Sequence, residues 1–275
     1  MKRLTILFSI CLVLIAFNSC QKDDIATTID EIALSQQETQ AEEVIADVDL
    51  LVDEAIDLYA SQLKSATIES AVYLGDCPVV TTDKTAAPQV MTIDFGTSCT
   101  GKDGKIRSGK IIVTSTSFNT FPSVRNKSFD NFIVDSKKVE GSIVKTISKD
   151  EVNNIRTAQL QEDLTITFPE NKGIAKRVAN LTRQYQRNTL ENKTDNQIVS
   201  WGTVEFTRIS GVKLTKTILA DNPLVYKAAC HHIVSGIVLF TTSNNRTWKV
   251  DYGTGECDDI ATLTNGDKTK EIKIR

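Results

Sequence analysis

The sequence predicts a mainly β protein: an antiparallel meander sheet, free to curve as far as a half-barrel, with one N-terminal amphipathic helix packed on it. Three observations predict it. Beyond Gly75 the apolar residues alternate with period two. Leu164, Ile166 and Phe168 alternate with Thr165 and Thr167, Trp248, Val250 and Tyr252 with Lys249 and Asp251, and Val204 and Phe206 flank Glu205. That is the pattern of strands with one buried and one wet face. Turn signals separate the strands at Asp103-Gly104, Glu140-Gly141, Ser210-Gly211 and Asn265-Gly266. Such pairs favour positive φ and tight hairpins, and short turns argue for a meander rather than βαβ units. Third, Val44, Val48, Leu51, Val52, Ala55, Tyr59 and Leu63 recur at steps of three and four with no Gly or Pro between them, which is helical spacing. Glu43, Asp47, Glu54 and Asp57 are expected on its other side.

The elements before the sheet follow in order. Met1-Lys2-Arg3 is a short basic region, and Leu4 to Phe17 is an apolar run of signal-peptide length, too short and poorly flanked for a good membrane span. It ends in Asn18-Ser19-Cys20, which resembles a lipobox. Residues 1–19 are therefore expected to be a lipoprotein signal peptide, and Cys20 the lipidated first residue of the mature chain. Phe17 is a departure at the position usually held by Leu. Cys20-Gln21-Lys22-Asp23-Asp24 resembles the lipoprotein export signal of Bacteroidota, a Lys and acids just after the lipidated Cys, which implies the outer face of the outer membrane. Residues 20–37 are polar and read as a tether, 38–65 as the amphipathic helix, and 70–275 as the β domain.

Charge is unevenly spread. Residues 22–63 hold twelve acids and one base, while residues 64–275 hold 29 bases and 23 acids. This reads as an acidic helix that complements a mildly basic body, with the apolar stripe packed on its own domain. Docking on an anionic membrane is disfavoured by the acidic polar face. Nucleic acid is disfavoured too, because the basic excess is diffuse and lacks a Lys/Arg run with interleaved aromatics.

Cys11 leaves with the signal and Cys20 carries lipid, so Cys77, Cys99, Cys230 and Cys257 remain, an even number in an oxidising compartment. No CxxC pair points to zinc. Two segments echo each other: Ile93-Asp94-Phe95-Gly96-Thr97-Ser98-Cys99 and Val250-Asp251-Tyr252-Gly253-Thr254-Gly255-Glu256-Cys257. Each Cys has another upstream, at Cys77 and Cys230. Pairing Cys77 with Cys99 and Cys230 with Cys257 is the most economical of three connectivities; the others would bring the two ends of the β region together.

Beyond the anchor, Thr92-Ile93-Asp94-Phe95-Gly96, Asp103-Gly104 and Ser108-Gly109-Lys110-Ile111-Ile112-Val113 resemble a group of Bacteroidota surface lipoproteins. Phe129, Asn131 and Phe132 with Val139-Glu140-Gly141, then Ser235-Gly236, Asp251-Tyr252-Gly253 and Cys257-Asp258, fit the same group. The resemblance covers residues 75–275. It implies a β-rich body and a surface address, and brings no activity with it.

Catalytic chemistry finds little support. His231 and His232 are adjacent, so a strand would point them to opposite faces. Zinc-protease, nucleophile-elbow, P-loop and dinucleotide motifs do not occur. Asp251, Glu256, Asp258 and Asp259 crowd one turn and would suit calcium, but their spacing is not that of an EF-hand. Trp248 reads as core and Trp201 as the better exposed platform for a sugar. No catalytic residue, metal or cofactor is assigned. The leading expectation is a non-catalytic surface module for a glycan, protein or envelope component. A carrier of a lipid or apolar ligand is the alternative, and a hydrolase comes third.

Overall fold

A computed structural model describes residues 21–63, 74–170, 173–186, 197–208, 210–227, 229–230 and 232–273. The chain divides into two compact units, Met1–Gln40 and Ala41–Arg275. Among the described residues one helix, α1 (Gln21–Leu63), precedes fifteen strands. They are β1 (Val79–Asp83), β2 (Gln89–Asp94), β3 (Cys99–Thr100), β4 (Ile106–Ser115), β5 (Ser123–Val134), β6 (Lys137–Asp150), β7 (Ile155–Phe168) and β8 (Gly173–Gln186). Then follow β9 (Gln197–Thr207), β10 (Lys213–Ile218), β11 (Leu224–Lys227), β12 (His232–Thr242), β13 (Thr247–Thr254), β14 (Ile260–Asn265) and β15 (Lys268–Lys273).

All of them belong to one antiparallel sheet whose order follows the chain, β1-β2-β4-β5-β6-β7-β8-β9-β10-β12-β13-β14-β15, with β3 paired on β4. The expected meander is present. β10 and β11 share one place between β9 and β12: β10 pairs with their distal halves and β11 with their proximal ones. Gly202 and Gly236 flank that break with φ of 129° and 107°. A Cβ on Gly236 would stand 2.2 Å from the Pro223 carbonyl oxygen, so only glycine lets the chain cross there.

Two sequence expectations need correction. α1 begins at Gln21, so the stretch from residue 21 to 37 is helical, where polarity alone suggested a tether. Glu140-Gly141 is not a turn but lies inside β6. Gly141 has φ 110° because a Cβ there would sit 2.1 Å from the Asp163 carbonyl oxygen on β7. The hairpin instead turns at Asp135-Ser136, both at positive φ. The other expected turns fall between strands, at Asp103-Gly104, Ser210-Gly211 and Asn265-Gly266.

The part of α1 from Ala41 onward is buried on nearly every side. Successive residues step about 100° around a helix. Ala41, Val44, Ile45, Val48, Leu51, Val52, Ala55, Ile56 and Tyr59 thus form one continuous apolar arc, and all are buried. The arc packs on Met91 and Ile93 of β2, Ile111 and Val113 of β4, Phe132 of β5, and Ile143 of β6. Between Ala41 and Ala60 the narrow strip of Glu43, Ala46, Leu50 and Asp57 is exposed, and the Asp53 side chain beside it is partly so. Side chains of the helix reach from Arg107 on β4 to Arg177 and Arg183 on β8. Those strands span four lateral spacings, about 19 Å, around a helix about 10–12 Å across.

Candidate functional site

The inner face of the sheet carries an unusual density of buried charge, built by ordinary strand alternation. On β5, Ser123, Arg125 and Lys127 point inward while Val124 is exposed. On β6, Lys145 stands in the buried register between Ile143 and Ile147; on β7, Glu162 stands between Leu160 and Leu164. On β8, Arg177 lies between Ala175 and Ala179 and is fully buried. Register brings these residues side by side: Arg125 faces Lys145, Ile143 faces Glu162, and Glu162 faces Ala179.

The helix supplies the opposite charge from both flanks of its apolar arc. On one flank Asp47 accepts from Arg107 Nε at 2.9 Å and Nη2 at 2.5 Å, and from Lys105 Nζ at 3.0 Å. Arg107 also holds Asp103 with Nη2 at 2.6 Å. Its two bidentate contacts use the planar fork that lysine lacks. Further along, Glu54 accepts the backbone N–H of Leu74 at 2.6 Å.

On the other flank Asp49 pairs with Lys127 and, through Oδ2, with Arg183 at 3.1 Å. Glu42 bridges two guanidiniums, Arg177 at 2.6 Å and Arg183 at 2.9 Å. Arg177 turns its Nε to Glu162 Oε2 at 2.9 Å. Asp53 sits between Arg125 at 3.4 Å and Lys145 at 3.5 Å. The expected acidic-helix and basic-body complement therefore exists, with one change. Asp47, expected on the wet side of the helix, is 3% exposed, because Arg107 and Lys105 reach it from β4.

Ionisation follows from these partners. Burial pushes the Glu42 carboxyl up, but Arg177, Lys216 and Arg183 outweigh it and hold its pKa at about 2. Asp49 is held well below the usual carboxylate range in the same way, burial being overcome by Lys127, Lys145 and Arg183. Asp53 is also lowered against its burial, chiefly by Lys145. Glu162 goes the other way: its burial outweighs Arg177, and the neighbouring Glu42 adds to the rise.

Chemically this is an internal lattice of ion pairs. The groups that could act as acids or bases are engaged with one another beneath the helix, with four carboxylates and five cations on the larger flank. Buried pairs of this kind add modest net stability but are costly to break singly. They fix where the helix sits and how it is rotated.

Other residues singled out by sequence lie elsewhere. The structure contains both local disulfides, Cys77–Cys99 and Cys230–Cys257, with Cα separations of 5.7 Å and 5.3 Å. The chain-entropy model gives loops of this length roughly 3 kcal/mol each. The echo is structural too. Asp94 Oδ1 accepts from the N–H of Gly96 at 2.9 Å, and Asp251 Oδ1 from that of Gly253 at 3.0 Å. Each aspartate thereby accepts from the glycine two residues on, Asp94 at the end of β2 and Asp251 inside β13, upstream of the bridged cysteine. Among the described residues no group of three or more His, Cys, Asp or Glu is gathered for a metal.

Trp248 is core, stacked on Phe240 with centroids 5.3 Å apart, while Trp201 is half-buried on β9. His232 opens β12, and His231 lies outside the described residues. Cys20 also lies outside them. Lys22, Asp23 and Asp24 fall in the first turns of α1, and their side chains are not described. No helix among the described residues is long and apolar enough to cross a membrane. Comparison with known proteins gives no match to any family model, curated protein or solved structure.

Proposed function

We propose that the protein is a lipid-anchored lipoprotein of the outer membrane, facing the cell exterior, that works as a non-catalytic binding module for a glycan, protein or envelope component. The observation that carries the non-catalytic part is the pairing just described. The densest collection of acids and bases is committed to holding the helix in the sheet, with Arg107, Lys127 and Arg177 at most 1% exposed. The arc from Val44 to Tyr59 fills the face of β2 to β6 with side chains, which favours this reading over an apolar-ligand carrier.

The address rests on Cys20 and on Lys22-Asp23-Asp24. Burial of acyl methylenes, at about 0.8 kcal/mol each, would supply the anchor. Cys20→Ser is expected to abolish the lipoprotein-type cut and release the chain from membranes. Replacing Lys22, Asp23 and Asp24 by Ala is expected to keep the lipid but shield the protein from protease added to intact cells. Normal processing and anchorage of the Cys20→Ser chain would overturn the lipoprotein reading, and unchanged protease accessibility of the triple variant would overturn the export role.

A further inference from the structure

We propose that the rim of the inner face where Arg125, Lys145 and Arg156 converge beside Tyr185 is a binding site for an oxyanion, the sulfate, phosphate or carboxylate group of an acidic ligand. The inference deepens the binding role above by naming a ligand class. It rests on that reading only for where the ligand comes from.

Arg125 is 4% exposed, yet its buried Nε–H has no acceptor among the described residues. An unmade hydrogen bond from a buried cation costs more than the bond would contribute when made. Its contact with Asp53 is long, at 3.4 Å, as is that of Lys145, at 3.5 Å. These contrast with the 2.5–2.9 Å pairs of Arg107 and Arg177 deeper in the lattice. Lys145 extends its Nζ to 5.3 Å from the Tyr185 ring centroid. Arg156 is the cross-strand partner of Tyr185 and shares the face of Ala158 and Leu160. It is half-buried, and no carboxylate among the described residues lies within ion-pair distance of it. Its charge nevertheless reaches Arg125, where, after burial and against the pull of Asp53, it helps to lower the guanidinium's pKa.

The carboxylates facing this rim are Asp53 and Asp57, with Asp49 further in. Nearby Lys149 is already engaged by Glu151 at 2.5 Å. Asp53 is 45% exposed, so the rim opens to solvent. Three cations and an orphaned donor thus gather beside the Tyr185 ring, at a rim where the carboxylates already share charge with the deeper lattice. A planar or tetrahedral oxyanion matches the guanidinium fork. It would satisfy the Arg125 Nε–H and relieve the repulsion between Arg125 and Arg156.

The test uses the full chain in detergent. Sodium sulfate and sodium phosphate are titrated while the arginine Nε–H resonances are followed by NMR at constant ionic strength, and dextran sulfate is compared with neutral dextran by calorimetry. Addition of sulfate or phosphate is expected to shift the Arg125 Nε–H signal. Arg156→Gln is expected to weaken binding about tenfold, the loss of one charge-assisted contact. Lys270→Gln, on the exposed edge strand β15, is expected to leave binding unchanged. Tighter binding of dextran sulfate than of sulfate would assign the site to an acidic glycan; preference for free phosphate would assign it to a small solute. No shift of the Arg125 signal, or equal losses in the two variants, would overturn the site. Neither result bears on Cys20 or the export residues, so failure here is distinct from failure of the surface-lipoprotein reading.

Discussion

Asp49→Ala is expected to lower the stability of the fold by about 3–5 kcal/mol, the cost of stranding a buried charge. Asp49 is the carboxylate paired with Lys127, whose side chain is 0% exposed, and it also accepts from Arg183. Removing it leaves an ammonium in the core without its counter-charge. A second change, Lys127→Met, fills similar volume with an apolar group and is expected to restore most of the loss. The contrast is Glu140→Ala, which breaks a pair with Lys138 in which both partners are at least 39% exposed; it should cost less than about 1 kcal/mol. Urea denaturation of the four proteins, with m unchanged, measures all three effects. A loss under about 1 kcal/mol for Asp49→Ala would mean that the pair does not hold the helix.

Acid should loosen the same lattice, and its sign can be worked out. Glu42, Asp49 and Asp53 have folded-state pKa values below their ordinary ones. The stability they contribute is therefore fully present above about pH 5, near which unfolded carboxylates begin to take up protons, and is lost as pH falls through the folded values. For Glu42 the drop from 4.5 to about 2 corresponds to about 3 kcal/mol. Glu162, raised by burial, acts in the opposite sense: its charged form opposes folding, and protonation relieves that cost. The three lowered groups, Glu42, Asp49 and Asp53, set the expected direction, a loss of stability in acid. Arg107, Arg125, Arg177 and Arg183 keep their charge in acid and then repel one another beneath the helix. The urea midpoint is expected to fall steeply between pH 5 and pH 2. A flat profile over that range would contradict the lattice.

Much of the architecture was legible because local rules and the global fold agree. The period-two runs around Ile166 and Val250, the stripe from Val44 to Tyr59 and the paired Asp-aromatic-Gly-Thr…Cys segments each point to the element that forms. The misses share a physical cause. On β5, β6 and β8 cations take buried positions, Arg125, Lys145 and Arg177, while on β5 and β8 Val124 and Val178 are exposed. A reading that assigns apolar residues to the inner face puts these cations outside. The available signal was the run of basic residues in the apolar register, Lys145 between Ile143 and Ile147 and Arg177 between Ala175 and Ala179, set against an acidic helix. Gly141 was misread because a glycine needed for close approach to a neighbouring strand looks, in sequence, like one needed for a turn. Residues 21–37 look like a linker because polar residues dominate there, although Ile25, Ile29 and Ile32 keep helical spacing. The oxyanion rim depends on an unpaired Nε–H and on long-range register, and neither leaves a trace in sequence.

Hydrogen exchange across α1 tests the central claim most directly, that the helix from Ala41 onward is enclosed by the sheet and held by charge on both flanks. A lone helix of that length is marginal in water, so its protection reports packing. Amides from residue 44 to residue 60 are expected to exchange as slowly as those of β5 to β8, through global unfolding. They should lose that protection together with the sheet when pH is lowered. Exchange of residues 44–60 as fast as that of the hairpin turn at residues 151–154, while β5 to β8 stay protected, would show a helix lying loosely on the sheet and would contradict the account.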